Sequence, residues 1–170
     1  ASSEKYGLDT SRMGVAGASA GGHLAALVGL SNGNEILEGE VGDHDDQPST
    51  IHAIADFYGP ANFTTLLSQS TPHGLSVRVP ALELVLGAVW EEKRALTRLA
   101  GPVFQIDSES PPLLLLHGDQ DPQVPINQSH ELHGLYKRLN VPVEFEVVHG
   151  GAHGGELFHD EKRCKVVSDF

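Results

Sequence analysis

The run Gly17-Ala18-Ser19-Ala20-Gly21-Gly22 constrains this chain more than any other segment. It reads G-x-S-x-G, the pattern of a serine held on a sharp turn between a strand and a helix. The flanks fit that context. Met13-Gly14-Val15-Ala16 is a short apolar run that predicts a buried strand over 13–18. Ala20, Leu24, Leu27 and Val28 recur at helical spacing, and Ser31-Asn32-Gly33 supplies a stop, which predicts a helix over 20–30. Such a turn brings backbone against backbone, so side chains at Gly17 and Gly21 are expected to clash. It also lifts the Ser19 hydroxyl clear of the sheet and aims helix-start N–H groups, Ala20 first, at any oxyanion formed beside it. Read alone, the pentapeptide also fits a glycine-rich turn whose serine merely caps the helix.

A second segment is Pro111-Pro112-Leu113-Leu114-Leu115-Leu116-His117-Gly118-Asp119-Gln120-Asp121-Pro122-Gln123-Val124-Pro125. Four leucines bounded by prolines and a turn predict a central strand over 112–117, buried on both faces. It ends in a polar loop with two carboxylates, where functional groups of an open parallel sheet gather. An aspartate there can fix a histidine's tautomer. Asp121 is the better candidate, and Asp119 more simply braces the loop. Either could also be a turn residue or N-cap before the helix expected over 125–139.

The third segment runs Val143-Glu144-Phe145-Glu146-Val147-Val148 and then His149-Gly150-Gly151-Ala152-His153-Gly154-Gly155. Alternating apolar and acidic residues predict a strand over 143–148 with one face to water. His153, set among small residues, is free to reach Ser19. His149, at the strand end, reads as structural. The Gly-Gly-Ala between the two histidines cannot hold a helix, so no metal is expected there.

A strand over 51–58, a mixed segment over 60–110 and a C-terminal helix from about 160 complete the pattern. Strands alternating with helices predict an α/β fold, a parallel sheet with flanking helices and right-handed crossovers. At 170 residues, one domain over 1–170 is expected. In 60–110, Leu82, Leu84, Val85, Leu86, Val89 and Trp90 could line an acyl or aryl pocket, or simply pack on the sheet. The net charge of −12, concentrated over 35–46 and 144–161, argues against a nucleic-acid partner. The acidic loop over 38–47 reads as solvated, since it lacks the EF-hand order of ligands. No apolar run approaches a membrane span. The single cysteine, Cys164, excludes an internal disulfide and leaves the compartment open. No signal sequence is visible.

Ser19, Asp121 and His153 stand in the order Ser, Asp, His, each at the end of an expected strand. In that order, and in Asp56-Phe57-Tyr58-Gly59-Pro60, Leu86-Gly87, His117-Gly118-Asp119-Gln120-Asp121 and Val124-Pro125, the chain resembles the α/β-hydrolase superfamily. Within it, the G-A-S-A-G-G-H elbow resembles the esterase/lipase group, close to carbohydrate-esterase and feruloyl-esterase-like members. The resemblance implies a serine esterase with Ser19 as nucleophile, His153 as base, Asp121 as its orienting acid and Ala20 N–H as one oxyanion donor. It implies a small-molecule ester substrate and no cofactor. Peptidase or lactonase chemistry could use the same groups, and a catalytically weak remnant acting as a binding or assembly module is the alternative. This chain reaches its elbow by residue 19 with no His-Gly-Gly before it, so a truncated fold lacking the N-terminal strands and the second oxyanion donor is expected. Strand 13–18 would then have an unpaired outer edge, blunted by neither proline nor lysine, which predicts a homo-oligomer joined there.

Overall fold

The computed structural model describes residues 2–44, 46–87 and 90–170. The pocket candidate Val89 lies outside the described residues. Among the described residues, four parallel strands form one sheet in the order β1-β2-β3-β4: β1 Gly14–Ala18, β2 Ala53–Phe57, β3 Leu113–Gly118 and β4 Val143–Val148. The helices are α1 Ser3–Tyr6, α2 Ala20–Leu30, α3 Glu35–Glu38, α4 Leu66–Gln69, α5 Pro72–Leu86, α6 Arg94–Leu99, α7 Asn127–Leu139 and α8 Glu161–Asp169. The expected α/β architecture is therefore present, with β2 shorter at both ends than the sequence suggests. The mixed segment over 60–110 resolves into α4, α5, α6 and 3-10 turns.

Leu113, Leu114, Leu115 and Leu116 are all fully buried, because β3 is interior and both sheet faces are covered. Their alternation divides the core. Leu113 and Leu115 pack with Ile54, Leu30, Leu132 and Tyr136 on the face covered by α2 and α7. Leu114 and Leu116 pack with Ala55, Val148, Phe158 and Tyr58 on the other, where Val166 and Val167 of α8 join them. Truncating one of these leucines to alanine would cost about 2–5 kcal/mol.

The apolar side chains whose spacing predicts α2 are not the ones it buries. Leu24 and Val28 are exposed, and the helix sets Gly22, Ala25, Ala26 and Gly29 against the sheet. A side chain on Gly29 would stand 2.4 Å from the Ile54 side chain, so the small face lets helix and sheet approach closely. β1 is the edge strand, with Gly14, Ala16 and Ala18 exposed.

Helix α5 opens on a sequence-encoded cap. Thr71 accepts from Gly74 N at 3.1 Å, and Pro72 occupies the first turn, where no N–H is needed. Its Leu82 and Leu86 are buried, while Leu84 and Val85 are exposed. The helix ends at Gly87, whose φ of 69° suits a residue without Cβ.

Candidate active site

Ser19 joins β1 to α2 with φ 57° and ψ −119°, a conformation that costs an L-residue about 1–3 kcal/mol. Its neighbours over-determine it. Ser19 N donates to Phe57 O at 2.8 Å, and His23 N donates to Ser19 O at 3.0 Å. A Cβ on Gly17 would lie 2.1 Å from Gly21 O. The expectation for Gly21 itself is corrected: a Cβ there meets nothing within 4 Å, because that side of the turn opens to space. The second compressed glycine is Gly22, where a Cβ would lie 2.2 Å from Asp56 Oδ1 and 2.9 Å from Phe57 O. Ala20 is the first helical residue, so its N–H has no acceptor within the helix.

The loops after β3 and β4 meet beside this turn. A Cβ on Gly118 would lie 2.1 Å from Gly151 O, and Gln120 N donates to Gly151 O at 2.9 Å. This close approach brings together the side chains that the sequence separates. His153 Nε2 lies 2.7 Å from Ser19 Oγ, and His153 Nδ1 lies 2.7 Å from Asp121 Oδ2. Asp121 Oδ1 accepts from Gln123 N at 2.8 Å and Val124 N at 2.9 Å. The ring of Tyr58 meets that of His153 edge-on at 4.9 Å between centroids and packs on Phe158. Asp119 and His149 pair elsewhere, at the solvent face: His149 Nδ1 lies 2.9 Å from Asp119 Oδ2, and Gly150 N donates to Oδ1.

Burial alone would push the Asp121 carboxyl up. Hydrogen bonds from His117, His153, Val124 and Gln123 outweigh that and hold it well below the ordinary carboxylate range. Asp56 is the opposite case. It is buried at the back of the elbow, where Oδ1 accepts from Gly59 N at 2.8 Å and Oδ2 has no partner among the described residues. Burial pushes its carboxyl up to about 6. Asp56, Tyr58 and His117 stand in the motifs that carry the family resemblance, with no role read from the sequence. The signal that could have found two of them is a polar residue inside an apolar strand, as His117 and Asp56 are.

An apolar cavity of about 80 Å³ adjoins Ala20, with His23, Pro60, Phe63, Leu82 and Val85 in its wall. Leu82 and Val85 were among the pocket candidates. Leu84 instead faces solvent, and Leu86 is buried away from the cavity. Among the described residues, no cluster of three His, Cys, Asp or Glu side chains is placed to hold a metal ion. Nor is any helix long and apolar enough to cross a membrane.

Comparison with known proteins gives this geometry a family. The family model BD-FAE matches residues 1–136. Esterase LipQ of Mycobacterium tuberculosis is 33% identical over 125 residues, covering 73% of this chain and 28% of that protein. Esterase LipC of the same organism is 29% identical over 159 residues, covering 91% and 37%. Among solved structures, a truncated form of a carbohydrate esterase from gut microbiota superposes with a TM-score of 0.88 at 30% identity, covering 99% of this chain and 61% of that one. The chain thus spans less than two-fifths of the length of either mycobacterial esterase. Its four-stranded parallel sheet and flanking helices match the α/β-hydrolase fold of the solved relatives. The family match covers most of the chain, and the chain belongs to the BD-FAE family of α/β-hydrolase-type esterases.

Proposed function

We propose that this chain cleaves carboxylic esters through an acyl-enzyme on Ser19. The observation that carries this reading is the unbroken hydrogen-bond path from Ser19 Oγ through His153 to Asp121, at 2.7 Å in each step. His153 Nε2 takes the hydroxyl proton as Ser19 Oγ attacks the carbonyl carbon. Asp121 holds the imidazole in the tautomer with its proton on Nδ1 and stabilises the imidazolium. Ala20 N–H donates to the oxyanion. The tetrahedral intermediate collapses, His153 returns the proton to the leaving alkoxide, and a water activated by His153 then releases the acid.

The strain at Ser19 supports this reading, since a serine that merely capped α2 would donate or accept locally, and this one makes no capping bond. The apolar cavity beside Ala20 suits a short acyl group better than a long chain. The relative named a carbohydrate esterase makes a carbohydrate the proposed alcohol half of the ester.

The test is hydrolysis of p-nitrophenyl acetate by the wild type and by Ser19→Ala, at matched folded concentration judged by circular dichroism. Turnover should fall to the uncatalysed background in the variant while the fold is unchanged. Turnover retained by Ser19→Ala would remove this serine from the chemistry.

A further inference from the structure

His117 is fully buried at the end of β3, directly behind the proposed acid. Its Nε2 lies 3.0 Å from Val124 O and 3.3 Å from Asp121 Oδ2, the oxygen that faces His153. Its Nδ1 lies 2.7 Å from Ser129 Oγ on α7. Both neighbours of Nε2 are acceptors, so Nε2 carries a proton. In the singly protonated ring, Nδ1 is then an acceptor and Ser129 Oγ–H donates to it. The Nε2 proton goes chiefly to the Val124 carbonyl, and Asp121 Oδ2 at 3.3 Å stands as its longer, second acceptor, the arrangement of a three-centre bond. Val124 N in turn donates to Asp121 Oδ1 at 2.9 Å, so His117 braces both the carboxylate and the loop that holds it.

The surroundings make this more than packing. A leucine would satisfy the apolar neighbours of β3, yet the ring buries two polar nitrogens and both are satisfied, which ties the position to its partners. From β2, the Asp56 carboxyl is close enough to couple to a charge on this ring, which the singly protonated form does not carry, and from just beyond its end the Tyr58 ring meets His117 edge-on at 6.5 Å. From α5, the Arg78 guanidinium donates to Gln123 O and Oε1 and feels the charge of Asp121 from there. His117 is the group in this set that touches the same carboxylate oxygen as His153.

We propose that His117 is a positioning residue for the esterase site. By sharing its Nε2–H with Asp121 Oδ2, it fixes the plane of that carboxylate toward His153 and moderates its basicity, while Ser129 fixes the tautomer that makes the donation. This rests on the assignment of Ser19, His153 and Asp121 above.

The experiment compares His117→Phe, His117→Gln and Ser129→Ala with the wild type. The readouts are kcat and KM for p-nitrophenyl acetate, the pH profile of kcat/KM, and the downfield proton resonance of the His153–Asp121 hydrogen bond. His117→Phe should lower kcat roughly 10- to 100-fold, the span a hydrogen bond to a charged group is worth, with KM changed less than about twofold. Without the competing donor the carboxylate holds the imidazolium more strongly, so the rising limb of the profile should move to higher pH and the bridging proton further downfield. His117→Gln, whose amide N–H can reach the same acceptors, should recover most of the loss. Ser129→Ala should give a smaller displacement in the same direction. Folded variants with an unmoved profile and an unmoved resonance would overturn the proposal, as would equal losses in Phe and Gln without a change in profile. If His117→Phe fails to fold, His117→Gln and Ser129→Ala decide by the same readouts. A wild type without Ser19-dependent turnover would defeat the functional reading instead, and the resonance alone would then judge the role of His117.

Discussion

Two histidine–aspartate pairs sit in the same two loops, and they differ in almost everything except distance. His149 and Asp119 meet at 2.9 Å, His153 and Asp121 at 2.7 Å. The first pair is open to water, with side chains 85% and 31% exposed. The second is enclosed, at 11% and 0%. Separation therefore says little about what a pair can do. An exposed pair is screened by water and salt and contributes little. A buried carboxylate with four donors has its charge fixed in place, and a proton arriving on the bonded imidazole is stabilised without rearrangement. Asp56 completes the comparison as a buried carboxyl that, among the described residues, has no histidine bonded to it and one oxygen unpartnered. Hydrogen bonds hold Asp119 and Asp121 below the ordinary carboxylate range, while burial drives Asp56 above it.

The largest contrast is expected between the two paired aspartates. Asp121→Asn should lower kcat by about 10³- to 10⁴-fold, because the amide favours the wrong tautomer of His153. Asp119→Asn should stay within about twofold of wild type, since its pair is solvated. Steady-state hydrolysis of p-nitrophenyl acetate measures both. Equal losses, or the reverse order, would break the comparison at its base.

A smaller effect separates Asp121 from Asp56, and it appears in stability rather than in rate. The Asp121 carboxyl lies lower in the folded chain than in the unfolded one, so its contribution is present above the unfolded value of 3.8 and is lost as pH falls further. Asp56 has the opposite sign. Its contribution is complete below the unfolded value of 3.8 and is lost as pH rises through about 6. The rise from 3.8 to about 6 corresponds to about 3 kcal/mol. Urea unfolding at pH 4 and pH 7.5 should therefore show wild type losing stability relative to Asp56→Asn as pH rises, whatever the trend the remaining groups impose on both proteins. Parallel behaviour of the two proteins would mean that water or a donor reaches Asp56 Oδ2.

Sequence and structure agree where a residue's neighbours in the chain decide its environment. The four leucines bounded by prolines could only be an interior strand, and Gly17 with Ser19 could only be a tight turn. The strand ends carrying Ser19, Asp121 and His153 were legible for the same reason, and the fold brings those ends to one place. What the sequence hid depends on neighbours in space. Gly21 and Gly22 look alike in the chain, yet only Gly22 faces Asp56 and Phe57. The helical spacing of Ala20, Leu24, Leu27 and Val28 located α2 but not its buried face, because the sheet selects the smaller side chains for close approach. His117 and Asp56 lie within or beside apolar runs and resemble core positions. Their significance is visible only once α7 presents Ser129 and the elbow presents Gly22. Val85 reaches the cavity and Leu84 does not, a difference set by the rotation of α5.

The central claim is that Ser19 is made nucleophilic by the buried pair and not by the exposed one. The direct measurement is the rate of covalent labelling by a fluorophosphonate, followed by mass spectrometry with the modified residue located by peptide mapping. The account predicts one adduct, on Ser19, forming at the wild-type rate in Asp119→Asn and at least about 100-fold more slowly in Asp121→Asn. Labelling of another residue, or equal rates in the two variants, would contradict it.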